Sequence, residues 1–514
     1  MTYSNPIIPG FSPDPSICRI GDSFFLVTSS FHLFPGLPIY TSKDLISWTH
    51  IGNSNPILLG SILTRAGNAI TRQSQVSLER ATTFLDPWDG TTLVATGGLY
   101  APTIRHHKGI TYIICTNVIH GPSNLPGDER NEQFIIHTSD IRSGQWSDPV
   151  VFDIPGIDPS LLFDNDHVYV QLCKVGPQFQ IYNMEIDIDT GRVIREPTLI
   201  FEGWKRGFTE GPHVYMKDGW YYLLVAEGGT FQDHMLSIAR SRNIWGPYEC
   251  YERNPLYTAS GTDRYIQNTG HGDFFQDQTG KWWAVLLGVR KTQGRSIMGR
   301  ETFLTAVEWP EDEWPTVKPP DSDQHPSFRP ILLDEASLAP WVHLRDAVLE
   351  HYQIEGPKIT LQADTVDLTS PDQSVTFVGQ RQRALQGSAI VSLSTLDSPT
   401  LRAGLCLYKD EHRFVAIEYD FGLQRVQFKA LNLARSIEET ENYNITLQGL
   451  ISFRIDYDEA SLKFSFRADE DDWQCASVFD TADLTDNDFT GPIIGVFAIG
   501  DGMVEFNDFQ IDAM

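Results

Sequence analysis

Four segments of the chain repeat one pattern: a proline, a polar turn, then a β-branched or aromatic run. They are DPSICRIGDSFFLVTSS from Asp14, APTIRHHKGITYIICTN from Ala101, DPSLLFDNDHVYVQLC from Asp158 and GPHVYMKDGWYYLLVAEG from Gly211. A fifth, GDFFQDQTGKWWAVLLGV from Gly272, lacks the proline and keeps the rest. Each holds two short strand patterns around a turn such as Gly21-Asp22, Lys108-Gly109, Asp218-Gly219 or Thr279-Gly280, which is the signature of a hairpin. Later strands, as in LPIYTSKDLISWTHIG and MLSIARSRNIWGPYEC, bring each unit to about four. A unit of that kind cannot bury its own apolar face, so neighbours must stack, and the pattern predicts an all-β fold beginning with a five-bladed β-propeller. Trp48, Trp146 and Trp245, at strand ends, are expected between blades.

From Trp309 to Pro330 the chain is dense in Pro and acidic residues and has no strand period. Beyond it, alternating runs such as AGLCLYKDEHRFVAIEYD and LISFRIDYDEASLKFSFRA, broken by Asp, Asn and Gly turns, predict a concanavalin-like antiparallel β-sandwich. The expected organisation is a catalytic propeller over 1–318, a linker over 319–329 and a sandwich over 330–514.

The 67 Asp and Glu against 39 Lys and Arg, a formal charge of −28, repel polyphosphate backbones and anionic lipid, so neither nucleic acid nor membrane is an expected partner. No apolar run reaches the ~18 residues of a membrane span. The start, MTYSNPIIPGF, has neither a basic nor an apolar leader region, which leaves a cytoplasmic chain or a secreted one whose leader is missing. Six scattered cysteines with no C-x-x-C spacing read as buried free thiols. Assembly into a homo-oligomer is left open. One local oddity is the echo of Ile51-Gly52-Asn53 in Gly67-Asn68-Ala69-Ile70 across NSNPILLGSILTRAG. Residues 53–67 read either as a surface insertion, which loop entropy tolerates, or as a retained in-frame intron.

A propeller gathers the first strand of each blade around one channel, so site residues should recur at one repeat position. Acids do: Asp14 before Pro15, Asp158 before Pro159, and Glu210 two residues before Pro212. A lone Asp-Pro is ordinary turn chemistry. Three acids in one register converge on a cavity, where like charges and burial separate their proton affinities into a donor and an acceptor near neutral pH. That arrangement suits acetal hydrolysis, with glycoside cleavage the main case. Motifs for serine hydrolases, zinc proteases, dinucleotide folds and P-loops are absent.

In order, FSPDPSICRIGDSFFLVTSSF, GGLYAPTIRHHKGITYI, GIDPSLLFD, FTEGPHVYMKDGWYYL, NTGHGDFF and MGRETFL resemble glycoside hydrolase family 43, and within it the β-xylosidase and α-L-arabinofuranosidase members with a C-terminal β-sandwich. The resemblance implies an inverting, exo-acting enzyme that releases terminal β-D-xylose, and also terminal α-L-arabinofuranose, from small oligosaccharides with no required cofactor. It implies Asp14 as general base, Glu210 as general acid and Asp158 as the carboxylate that tunes the acid. Arg290 of WWAVLLGVRK is implied to contact sugar hydroxyls and Phe31 to wall the sugar pocket. Tyr100 stands in GGLYAP where many members carry Trp. His271 matches a histidine that in many members lies beside a structural calcium ion. The alternatives are a non-catalytic glycan-binding propeller and a retaining fructosidase of the same shape.

Overall fold

The protein is described from a computed structural model, which covers residues 4–59, 62–88, 90–176, 178–205, 207–320, 332–333, 341–394, 398–445, 447, 449–469 and 471–513. The N-terminal part is a succession of antiparallel meanders. Strands Gly98–His107, Ile110–His120, Glu129–Thr138 and Val150–Phe152 form one sheet, and Ile157–Asp164, His167–Lys174, Gln180–Ile186 and Val193–Phe201 the next. Strands Thr209–Lys217, Trp220–Glu227, Met235–Ser241 and Glu249–Cys250 follow, then Ile266–Gln276, Trp282–Arg290, Glu301–Glu308 and Thr316–Val317. The earliest sheet runs through Ser16–Ile20, Ser23–Val27, Gly36–Ser42 and Thr49–His50. The first strand of each sheet packs against the first strand of its neighbours, which is the arrangement of a β-propeller. The N-terminal segment closes the ring on the last sheet: Ile7 N donates to Thr302 O at 2.9 Å, and Asn5 exchanges two bonds with Leu304, each of 2.9 Å.

The apolar faces that each meander exposes are buried between blades. Trp48 packs with Phe24 of the first sheet and Trp283 of the last, Trp146 with residues of the first two sheets, and Trp245 with Tyr169 and Leu223 of two adjacent sheets, as their positions at strand ends imply. Four of the six free cysteines are buried, whereas Cys250 and Cys475 are exposed because they lie on short or outer strands facing solvent. Residues 53–67 contribute a backbone hairpin, Gly52–Leu59 with Ile62–Ala66, and their side chains, with residues 60–61 entirely, lie outside the described residues, as do 321–329 of the expected linker.

The second part is two antiparallel sheets. The first runs in the order Tyr352–Glu355, Lys358–Gln362, Met503–Ala513, Gly387–Ser394, Leu450–Tyr457, Ser461–Ala468, Gln474–Asp480, and the other Phe377–Arg381, Ile493–Ile499, Arg402–Asp410, Arg413–Asp420, Arg425–Asn432, Ile437–Asn444. Their inner faces enclose one large apolar core, the sandwich expected from the alternating runs. Among the described residues no helix is long and apolar enough to cross a membrane.

The propeller axis is pinned by one fully buried carboxylate. Asp273, on the last sheet, accepts from Ser16 Oγ at 2.7 Å and Ile17 N at 3.2 Å on the first, from Arg105 at 2.7 and 3.1 Å on the second, and from Tyr215 OH at 2.7 Å on the fourth. Burial opposes its ionisation, but Arg105, His213 and these donors outweigh it and hold the carboxyl well below its usual range. Removing one partner of such a pair leaves a buried charge unmatched. Asp273→Asn is therefore expected to lower stability by about 3–5 kcal/mol in urea unfolding, and a loss below about 1 kcal/mol would refute the pinning role.

Candidate active site

The inner strands carry a backbone peculiarity at one shared position. Asp14 (φ 53°), Ala101 (36°), Asp158 (56°), Gly211 (57°) and His271 (42°) all adopt the left-handed conformation. Four of them precede a proline, a position that already restricts the backbone, and three of those four carry a Cβ. At Ala101, Asp158, Gly211 and His271 the strand pairing also slips, between Tyr100 and Thr103, Ile157 and Ser160, Glu210 and His213, and Gly270 and Gly272. Such bulges bend a strand and re-aim a side chain, here toward the channel mouth. A Cβ on Gly211 would stand 3.0 Å from His271 Nδ1, so this blade has no side chain at the shared position and its acid comes one residue earlier, as Glu210.

Asp14, Asp158, Glu210 and His271 line one pocket of about 70 Å³ together with Phe31, Tyr100, Ile157, Thr230, His234, Arg300 and Phe489. His271 Nδ1 stands 3.9 Å from Asp14 Oδ1 and 3.8 Å from Asp158 Oδ2. Asp14 also accepts from Ser29 Oγ at 2.6 Å, and Ser29 Oγ in turn accepts from Ala101 N at 2.7 Å, which fixes the carboxyl against the second blade. Burial opposes ionisation of Asp14, yet Arg300, His271 and the Ser29 hydroxyl outweigh it and hold the carboxyl below its ordinary range. Burial and the neighbouring Asp14 charge push Glu210 up to about 7, against a weaker pull from Arg300. Asp158 is raised too, by burial first and then by Glu210 and Asp14, with His271 acting in the opposite sense. Of this coupled pair Glu210 is the better proton carrier, because Asp158 accepts the Gly211 N–H at 3.1 Å and faces His271, both of which favour its charged form.

Arg300 ties the pocket to the sandwich. Its guanidinium donates to Asp14 Oδ1 at 3.3 Å, to Thr230 Oγ1 at 3.1 Å and to Phe489 O at 3.0 Å, and it lies over the rings of Phe31 and Phe489. Among the described residues its buried Nε has no hydrogen-bond partner. Phe489 belongs to the sandwich, whose strand Asn487–Asp488 adds in parallel to the propeller hairpin strand Thr91–Thr96. The fully buried Arg413, paired with Asp410, Asp486 and Asp488, anchors that strand, and Thr83 bonds Glu411 at 2.5 and 3.0 Å across the same interface.

Phe31 and Tyr100 line the pocket as expected, their rings 4.6 Å apart. Arg290 does not. Its Nε and Nη2 pair with both oxygens of Glu301 at 2.7 and 2.8 Å, and Glu301 also accepts from Gly10 N, so this arginine is spent on bracing the start of the strand that follows Arg300. Arg300, within the MGRETFL motif, takes the position in the pocket. His271 sits in the channel, but the described residues offer no group of three or more His, Cys, Asp or Glu side chains arranged to hold a metal. Calcium prefers six to eight oxygen ligands, and this donor set does not fit it. Phe489 escapes sequence reading altogether, since nothing in a short connecting segment of a second domain marks a side chain that enters the first. Thr230 and His234 follow no repeat position and are likewise invisible.

Comparison with known proteins shows the family of the chain. The profile "Glycosyl hydrolases family 43" matches residues 3–315, and "Beta xylosidase C-terminal Concanavalin A-like domain" matches 334–512. The chain is 32% identical, over 99% of its length and 94% of the other's, to the non-reducing end alpha-L-arabinofuranosidase BoGH43B of Bacteroides ovatus. It is 38% identical, over 62% of its length and 56% of the other's, to a xylosidase/arabinosidase of Butyrivibrio fibrisolvens. Among solved structures, the xylan beta-1,4-xylosidase of Bacillus halodurans superposes with a TM-score of 0.84 at 26% identity, covering 99% of this chain and all of that one. These matches over both parts of the chain, which carries an inner-channel carboxylate trio beside an intruding sandwich, place it in glycoside hydrolase family 43, with the β-xylosidase type of C-terminal domain, as a glycosidase.

Proposed function

We propose that this glycosidase is an inverting, exo-acting enzyme that removes terminal β-D-xylose, and also terminal α-L-arabinofuranose, from short oligosaccharides, on a propeller closed by five blades. One observation carries the reading: of the three acids, Glu210 alone lines both the inner pocket and the larger chamber beside it, whereas Asp14 and Asp158 line only the inner pocket. A sugar in the pocket thus has its leaving oxygen beside the raised, proton-bearing Glu210, and its anomeric carbon on the side of the ionised Asp14. Glu210 donates its proton as the glycosidic C–O bond breaks. Asp14 takes a proton from the water that attacks the opposite face. Asp158 and His271 hold the field that keeps the two apart in proton affinity. Phe31, Tyr100 and Phe489 close the pocket, which supports exo attack. The xylosidase and arabinosidase names of the relatives support the two pentoses.

The pH dependence of kcat/KM follows from the signs. Rising pH strips the proton from Glu210, so activity falls with an alkaline limb near 7, while the acid limb, set by Asp14, lies below the ordinary carboxylate value. A profile flat to pH 9 defeats the assignment. Glu210→Gln is expected to cost about 10²–10⁴ in kcat/KM on xylobiose but far less on nitrophenyl xyloside, whose leaving group needs no proton. Asp14→Asn should cripple both substrates alike. Early-time NMR with a β-xyloside should show α-xylose first, and β-xylose appearing first would overturn inversion.

A further inference from the structure

Next to the sugar pocket lies a chamber of about 210 Å³, sharing with it Tyr100, Ile157, Glu210, Thr230 and Phe489. Its walls carry three ring pairs: Phe179 edge-on to Phe208 at 5.0 Å, Phe231 stacked with Phe489 at 6.2 Å, and Phe84 tilted against His120 at 4.8 Å. Leu93, Val118 and Val175 fill between them. Beyond Glu210, Thr230 and Tyr100, which it shares with the sugar pocket, its polar groups are few and sit on the second blade. His120 is engaged by Thr82 at 3.2 Å, Glu129 faces the chamber, and Asn131 has a buried Oδ1 with no hydrogen-bond partner among the described residues.

Resting on the glycosidase reading above, we propose that this chamber receives an aromatic aglycone, a phenyl-bearing alcohol or phenol linked to the terminal pentose, in preference to a second sugar. A sugar ring brings hydroxyls on its whole rim, and most would face phenyl groups without partners, a costly arrangement in a dry cavity. An aryl group buries its faces against the Phe179, Phe208 and Phe231 rings, and a ring hydroxyl donates to Asn131 Oδ1 or Glu129. The reaction is the same hydrolysis. The bond between the anomeric carbon and the aglycone oxygen breaks, that oxygen leaves with the proton of Glu210, and water supplies the hydroxyl on the sugar.

The test compares kcat/KM for methyl β-D-xyloside, 2-phenylethyl β-D-xyloside and xylobiose, whose leaving groups are all unactivated alcohols, together with the matching α-L-arabinofuranosides. The phenylethyl glycoside should exceed the methyl one about tenfold, from burial of one phenyl group, and should exceed xylobiose. Phe208→Ala should cut the phenylethyl-to-methyl ratio about tenfold, and Phe179→Leu, which keeps the cavity filled, should cut it less. Preference for xylobiose, or a ratio unmoved by both variants, overturns the proposal while leaving the pentosidase reading intact. Failure to hydrolyse any of these glycosides overturns both.

Discussion

The site depends on a backbone constraint repeated around the axis: the same residue of each inner strand is held in the left-handed conformation, with a bulge or a proline beside it. Non-glycine residues there cost about 1–3 kcal/mol each, and such strain persists only where the surrounding structure over-determines it. The over-determination is visible. Asp273 bonds three other blades, the N-terminal segment closes on the last sheet, and the ring cannot relax one strand without shifting its neighbours. The strain turns Asp14, Asp158 and His271 toward one point instead of leaving them on alternate faces of ordinary strands.

Once the acids meet, electrostatics divides their labour. Burial alone would raise all three. Arg300 and His271 face Asp14 and reverse the effect there, while Glu210, with Asp14 as its charged neighbour, goes up. Arg300 is itself oriented by the carbonyl of Phe489 and by Thr230, so the asymmetry in proton affinity among the acids is anchored partly in the second domain. The sandwich is thereby a component of the active pocket: its buried Arg413 cluster fixes the strand whose next residue, Phe489, is both wall and hydrogen-bond acceptor.

Much of this was legible in the sequence, and the exceptions have reasons. Repeats are legible because each blade is a local unit with its own turn and strand pattern, and the register of Asp14, Asp158 and Glu210 within them pointed to one channel. The arginine is the exception in the last sheet: Arg290 ends one strand and Arg300 immediately precedes the next, and only the pairing with Glu301 shows which is spent on structure. The calcium expectation at His271 came from resemblance, and the donor set around the ring does not fit it.

By itself the chain's pattern of turns, alternating runs and repeated prolines determined two all-β domains and three acids at equivalent positions, because hairpin formation and amphipathic alternation act over a few residues. Tertiary structure alone decided which acid keeps its proton, that Phe489 enters the pocket from almost 300 residues beyond Glu210 in sequence, and that a phenyl-lined chamber adjoins the acid. Those outcomes depend on charges and rings brought within a few ångströms by blade closure and domain docking, distances that no local spacing encodes.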